Sequence, residues 1–261
     1  AGVSSMLGRQ VIDGIRFSKK VKNCSDAKVV WGGWYPSVAP EVILKEDFVD
    51  YIIAGQGEKP FRELVLALMN NKNEQHIKGL GFKKNGELRI NPHEQLIDDN
   101  QFPNVDYSLI DLNRIVEVRK NVQQRERALN YIASIGCPYN CKFCCLAPVL
   151  GRKYYHKNIN TIINDIKYFK EYAGISRLIF SDDSFFTNRE FVLNLCNELI
   201  KNKINIIWNT AANVRMFLKN YSDEDIRLIY KSGCRMLKFG VESGDQEVLD
   251  RINKRLNVNE A

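Results

Sequence analysis

No stretch of this 261-residue chain approaches the roughly 18 uncharged apolar residues that a membrane span requires, so no span is expected. The first 30 residues lack a basic start followed by an apolar run, which argues against a secretory leader. Short repeats and low-complexity tracts are missing as well, and with them the solenoid and low-complexity readings. Histidine is scarce, and His76, His93 and His156 read as surface residues rather than ligands. Outside one nine-residue window, cysteine is limited to Cys24, Cys196 and Cys234, too scattered for a disulfide framework. The default compartment is therefore a reducing cytoplasm.

What is present points to a soluble globular protein of one or two domains, with 44% hydrophobic and 26% charged residues. The net charge of +7 is uneven: residues 1–127 carry 19 − 17 = +2 and residues 128–261 carry 19 − 14 = +5. Such an excess favours anionic ligands without requiring nucleic acid, and no nucleic-acid partner is expected.

Val11, Ile12, Ile15 and Val21 fall at near-helical spacing over residues 8–22. A β-type run, Val29–Trp31, follows and stops at Gly32-Gly33. Residues 40–47 read as a short helix and Tyr51–Ala54 as a second strand that exits through Gly55-Gln56-Gly57-Glu58, with Pro60 placed to open a helix over 60–70. Residues 72–127 break the rhythm, with a hairpin expected at Asn85-Gly86, and read as a linker. A second alternation places strands near 130–135, 177–181, 205–209 and 235–239, separated by helices at about 159–172, 189–201 and 222–232. Ser222 with Asp225 fits a capping box, and Gly233 a helix stop. The expectation is an α/β fold with domains at 1–71 and 128–261, whose ligands sit outside the carboxyl ends of parallel strands.

Four cysteines crowd one loop: Cys137, Cys141, Cys144 and Cys145. Three thiolates from a compact loop suit an iron-sulfur cluster with one iron left open. A structural zinc ion would want a fourth ligand at finger-like spacing, and adjacent Cys144 and Cys145 cannot easily share one small ion. Cluster, zinc and inert buried thiols all remain open on composition alone.

The motif Cys137-x3-Cys141-x2-Cys144, with Phe143 before the third cysteine, resembles the signature of radical S-adenosylmethionine (SAM) enzymes. The order continues through Gly151–Tyr155, Phe180–Phe186, Trp208-Asn209, Arg215 and Lys238–Gly244, which is similar to the strand ends of the cobalamin-dependent branch, in its methyltransferase or anaerobic magnesium-protoporphyrin ester cyclase forms. Trp31–Ser37 and Gly55–Glu58 look like the second half of a cobalamin-binding domain. The fold that this resemblance implies is a partial doubly wound, Rossmann-like cobalamin-binding domain followed by a partial (β/α) radical SAM barrel, truncated at both ends.

The same resemblance implies ligands. Cys137, Cys141 and Cys144 would hold a 4Fe-4S cluster, with Cys145 a bystander or a thiol just behind the ligands. Phe143 would lie near the adenine of SAM or act as a hydrophobic plug. Asp182 or Asp183 would take the SAM ammonium group, Arg215 its carboxylate, and Glu242 with Ser243 the ribose hydroxyls. Arg152, Tyr154 and Tyr155 would contact substrate or close the cluster loop; Trp208 and Asn209 would line the cavity, or Trp208 belong to the core. Ser4, Ser5, Gly32, Gly33, Trp34, Tyr35, Gly55, Gln56, Gly57 and Glu58 would face cobalamin, with no histidine ligand to cobalt in view. The implied activity is radical methylation of an unactivated carbon or phosphorus centre of a small molecule or natural product, fed by an electron donor such as flavodoxin or ferredoxin. A radical cyclase is the near alternative, and a non-catalytic cobalamin or redox sensor the distant one. Methylthiotransferases would need a second cysteine trio, and only Cys24 precedes the loop.

Overall fold

The computed structural model describes residues 1–120 and 125–261. It divides into two compact units, residues 1–97 with 145–151 and residues 98–144 with 152–261. No helix among the described residues is long and apolar enough to cross a membrane.

The first unit runs β1 (Gly2–Ser4), α1 (Arg9–Cys24), β2 (Val30–Gly32), α2 (Trp34–Val38), α3 (Pro40–Leu44), β3 (Tyr51–Ile53), α4 (Glu58–Met69), β4 (Leu80–Lys84) and β5 (Glu87–Ile90). Its sheet has the order β1-β2-β3-β4-β5, with the first three strands parallel and the last two antiparallel. Both faces are covered, which is why these strands read as continuous apolar runs. Val29, Trp31, Ile52 and Ala54 pack on one side with Leu44, while Val30 and Ile53 pack on the other with Leu64 and Leu80. Gly14 lets α1 lie close to the sheet, because a Cβ there would sit 2.7 Å from the Trp31 ring. The Trp31 indole N–H donates to Ser18 Oγ at 2.9 Å, so burying it leaves no orphan donor.

Two boundaries move. Helix α4 begins at Glu58, not Pro60; a proline in the first turn forfeits only an N–H that has no helical partner anyway. The expected linker is divided between the units. Its hairpin at Asn85 (φ 51°) and Gly86 (φ 82°) extends the first sheet as β4 and β5, and residues 98 onward join the second unit.

The second unit continues with α5 (Leu112–Ile115), β6 (Glu117–Lys120), β7 (Arg125–Tyr131) and β8 (Ser134–Gly136). The chain then returns to the first unit as α6 (Leu146–Leu150), where the Leu96 N–H donates to the Leu150 carbonyl. It resumes with β9 (Tyr154–His156), α7 (Ile159–Ala173), β10 (Arg177–Phe180), α8 (Arg189–Lys201), β11 (Ile207–Ala212), α9 (Val214–Asn220), α10 (Asp223–Lys231), β12 (Cys234–Phe239) and α11 (Gln246–Arg251). The main sheet has the order β12-β11-β10-β7-β6, parallel except for β6, and β8 pairs separately with β9. Leu129, Tyr131, Leu178, Phe180 and Trp208 enter one core with Ile162, Ile166 and Phe169 of α7 and Leu195 and Leu199 of α8. Each large apolar side chain buried there contributes roughly 1.5–3 kcal/mol.

The strand expected at 130–135 forms earlier, at 125–131, because Ala128–Tyr131 take register with Arg177–Phe180. Beyond Tyr131 the chain leaves that sheet, and Ser134–Gly136 pairs with β9 instead.

Candidate functional site

Strand β8 delivers the cysteine loop. Gly136, at φ 88°, turns the chain out of the strand, and its N–H donates to Asp183 Oδ2 at 2.8 Å. Cys137, Cys141 and Cys144 then occupy one loop, tightened by the Cys144 N–H donating to the Cys141 carbonyl at 3.1 Å, and all three are half-buried. They lie near enough for their charges to interact. Burial pushes the Cys137 thiol up, opposed by the Tyr139 N–H and the Ser184 hydroxyl and reinforced by Cys144 and Cys141. Burial also raises Cys141, opposed first by the charge of Lys254. No group of three or more His, Cys, Asp or Glu side chains among the described residues is arranged to hold a single metal ion. Cys145 stands outside the trio, as the N-cap residue of α6 in the first unit.

The two aspartates after β10 have separate fates. Asp182 is buried, accepting from the Ala133 N–H at 3.3 Å, from the Ser134 N–H, and from the Ser134 hydroxyl at 2.6 Å. Its pKa is pushed up to about 7, because desolvation outweighs those three donors. Asp182 thus anchors the approach to β8. Asp183 is exposed, with one acceptor engaged by the Gly136 N–H, and is the carboxylate of the pair that faces outward. The helix-capping role falls to Asn188, which accepts from the Phe191 N–H at 3.0 Å.

After β12, Glu242 adopts φ 73°, left-handed for a residue with a Cβ. Its Oε1 accepts from Lys254 Nζ at 3.0 Å. Ser243 Oγ accepts from the Asp245 N–H at 3.1 Å and keeps its own O–H. Arg215, near the start of α9, donates to the Arg255 carbonyl at 3.0 Å. Phe143 is 55% exposed, so it is no plug, and Lys254 Nζ stands 5.6 Å from its ring centroid. Tyr154 and Tyr155 pair with Gly136 and Ile135 through β8 and β9, which places them in the strand beneath the cysteine loop. Trp208 is core, its indole donating to Ser232 Oγ at 3.2 Å; Asn209 is buried on the opposite side of β11 and accepts from Arg177 at 3.4 Å. Lys254, Asn253 and Ser134 also contact the candidate site's residues, which the sequence reading missed because a lone lysine, asparagine or serine carries no motif.

In the first unit, the parallel strands end in the loops expected to face cobalamin. The Ser5 N–H donates to the Gly32 carbonyl and the Tyr35 N–H to the Ser5 carbonyl, both at 3.0 Å, so Ser4-Ser5 and Gly32–Tyr35 form one ledge. Gly33, at φ 91°, is required by the ledge itself, since a Cβ would meet the Ser5 carbonyl oxygen at 2.8 Å. Gly55, at φ 81°, is required by His93, whose ring a Cβ would meet at 2.9 Å. Gly32 and Gly57 have open space, with no contact nearer than 3.9 and 4.0 Å, as close approach by a bulky group demands. Trp34 and Tyr35 are half-buried at the start of α2, with Tyr35 against the core, and Glu58 opens α4. Gln56 is a latch, accepting from the Ile97 N–H at 2.8 Å and donating to its carbonyl at 3.2 Å. His156 is half-buried rather than a surface residue, stacked 4.2 Å from Phe191.

A cysteine trio in the loop after β8, with Asp183 after β10 and Glu242 after β12 beside it, makes a candidate cofactor site in an α/β domain. Residues 131–261, half of the chain, match the radical SAM superfamily, and the chain belongs to it. Over 247 residues it is 27% identical to an uncharacterized methyltransferase of Pyrococcus horikoshii, covering 93% of this chain and 51% of that protein. It is 23% identical to the anaerobic magnesium-protoporphyrin IX monomethyl ester cyclase of Rubrivivax gelatinosus, covering 87% of this chain and 42% of the cyclase. The chain therefore spans about half the length of the curated relatives it matches. Its fold is that of the cobalamin-dependent SAM radical enzyme OxsB, solved with aqua-cobalamin and SAM (TM-score 0.78, 18% identity, 99% of this chain and 37% of that one). It is also that of the radical SAM methyltransferase TsrM of Kitasatospora setae, solved with cobalamin and a 4Fe-4S cluster (TM-score 0.73, 18% identity, 95% of this chain and 49% of that one).

Proposed function

We propose that this chain forms the cofactor-binding part of a cobalamin-dependent radical SAM methyltransferase acting on an unactivated carbon or phosphorus centre of a small molecule. The observation that carries the reading is the loop that gathers Cys137, Cys141 and Cys144 beside Asp183 and Glu242. When bound, the cluster supplies the low-potential electron that cleaves SAM to methionine and a 5′-deoxyadenosyl radical, and cobalamin carries the methyl group.

The protein's own part is to bind and orient. Cys137, Cys141 and Cys144 hold the cluster, and the Tyr139 N–H and Ser184 hydroxyl favour the Cys137 thiolate. Asp183 takes the SAM ammonium, since Asp182 is spent on Ala133 and Ser134. Glu242 and Ser243 accept the ribose hydroxyls. The guanidinium of Arg215 has donors left beyond the Arg255 carbonyl for the SAM carboxylate. Ser4, Ser5, Gly32, Gly33 and Gly57 offer cobalamin a ledge with little side-chain bulk. A flavodoxin or ferredoxin supplies electrons, and the compartment is the cytoplasm.

The likeness to the Rubrivivax cyclase favours radical ring closure as the second reading. Anaerobic reconstitution of the intact protein with iron and sulfide, then SAM and a reductant, should yield 5′-deoxyadenosine that is lost in Cys141→Ala. A wild-type protein that takes up iron and sulfide and yields none refutes the proposal. The mass of the product, with or without an added methyl group, separates methylation from cyclisation.

A further inference from the structure

Lys254 lies between the cysteine loop and the carboxylate after β12. Its side chain is 9% exposed, against 38% for Glu242. An ammonium withdrawn that far from water needs partners. It has Glu242 Oε1 at 3.0 Å on one side and the Phe143 ring, 5.6 Å to the centroid, on the other.

The backbone holds it there. The Lys142 N–H donates to the Ile252 carbonyl at 2.9 Å, and Asn253 Nδ2 donates to the Asn140 carbonyl at 2.7 Å. The segment after α11 is thus stitched to the residues on either side of Cys141. Arg215 fixes its far end through the Arg255 carbonyl. Asn253 and Arg255, both at φ 54°, and Glu242 at 73° keep left-handed conformations that only a well-held backbone sustains. Gly240 leaves room for the pair, since a Cβ there would come within 3.0 Å of Glu242 Oε1 and 3.4 Å of Lys254 Nζ.

We infer that Lys254 is a positioning residue that locks the ribose-binding carboxylate of Glu242 to the loop carrying Cys141 and sets a fixed positive charge beside the cluster. This rests on the functional reading above. A cation near the cluster favours its reduced, more negative form, and an ion pair fixed in advance spares SAM the cost of ordering Glu242.

The test uses the intact protein, reconstituted anaerobically, with two readouts per cluster: SAM affinity by equilibrium dialysis and cluster midpoint potential by redox titration. K254M is expected to weaken SAM binding about tenfold or more and to shift the potential to a more negative value. K254R is expected to keep the wild-type potential and most of the affinity. Should K254M fail to take up a cluster, G240A decides, because it crowds the ion pair while keeping the charge: weaker SAM binding at unchanged potential supports the inference, and unchanged binding overturns it. A K254M protein that only melts earlier, with affinity and potential intact, also overturns it and leaves the functional reading standing. Wild-type protein that holds no cluster overturns both.

Discussion

Asp182 and Asp183 are chemically identical neighbours that the structure separates completely, one buried under three donors and the other exposed beside the cysteine loop. The chain order alone shows two carboxylates at a strand end; which one is consumed depends on Ser134, 48 positions away. For the same reason the cysteine motif stands out in the sequence and Lys254 does not: the motif is written in nearly consecutive residues, whereas an ion pair across 12 positions is made by the fold. The burial of Asp182 has a consequence for stability. Its pKa rises from 3.8 to about 7 on folding, so the folded protein retains a proton that the unfolded chain releases. Its contribution is greatest below about pH 4, declines as pH rises, and levels off above about 7. Over that window it should remove up to about 1.4 kcal/mol of stability per pH unit. Urea unfolding of wild type and Asp182→Asn between pH 4.5 and 7 should show the shallower pH dependence in the variant, with groups such as Asp165, also raised by burial, accounting for what slope remains. Equal slopes would mean that Asp182 is ionised in the folded state.

At the scale of elements, local signals were read well wherever the determinant is local. Helix α8 begins and ends where its periodicity and Asn188 place it. The expected capping box of α10 is present, with Ser222 and Asp225 each accepting from the other's backbone N–H. The hairpin at Asn85-Gly86 follows from two residues that tolerate positive φ. Strand β7 was misplaced because Leu129, Tyr131, Ala133 and Ile135 alternate as one β-type run, and only partner strands decide which sheet each part of it enters. The two ends of α10 allow a graded test. Ser222→Ala removes the cap and should cost about 1 kcal/mol. Gly233→Ala should cost more, about 2 kcal/mol or beyond, because Gly233 sits at φ 110° and a Cβ would lie 2.1 Å from the Ile206 carbonyl oxygen. Denaturant unfolding should rank the variants in that order; the reverse order would mean that the entry into β12 is not held as described.

At the scale of the whole molecule, the alternation of strands and helices announced two α/β units, but the linker between them was illegible as structure. Residues 72–120 are polar and weakly periodic because they include edge elements, the antiparallel hairpin of β4 and β5 at one end of the first sheet and the antiparallel strand β6 at the edge of the second. The seven thiols, distributed over both units, report on the state of the entire chain in one experiment. Cys24 and Cys145 are exposed, Cys137, Cys141 and Cys144 are half-buried, and Cys196 and Cys234 are buried. Burial pushes Cys196 up to about 11 and Cys234 up to about 12, which leaves them almost wholly protonated and unreactive near neutrality. Under anaerobic, native conditions, iodoacetamide followed by peptide mass mapping should label Cys24 and Cys145 whether or not the protein carries a cluster. Chelation of iron should add Cys137, Cys141 and Cys144 and nothing else, and Cys196 and Cys234 should appear only in denaturant. On the proposed ligand set the three loop thiols should become reactive together as iron leaves; protection of only two, or of Cys145 in place of Cys144, would assign the ligand set differently and undo the site built on β8.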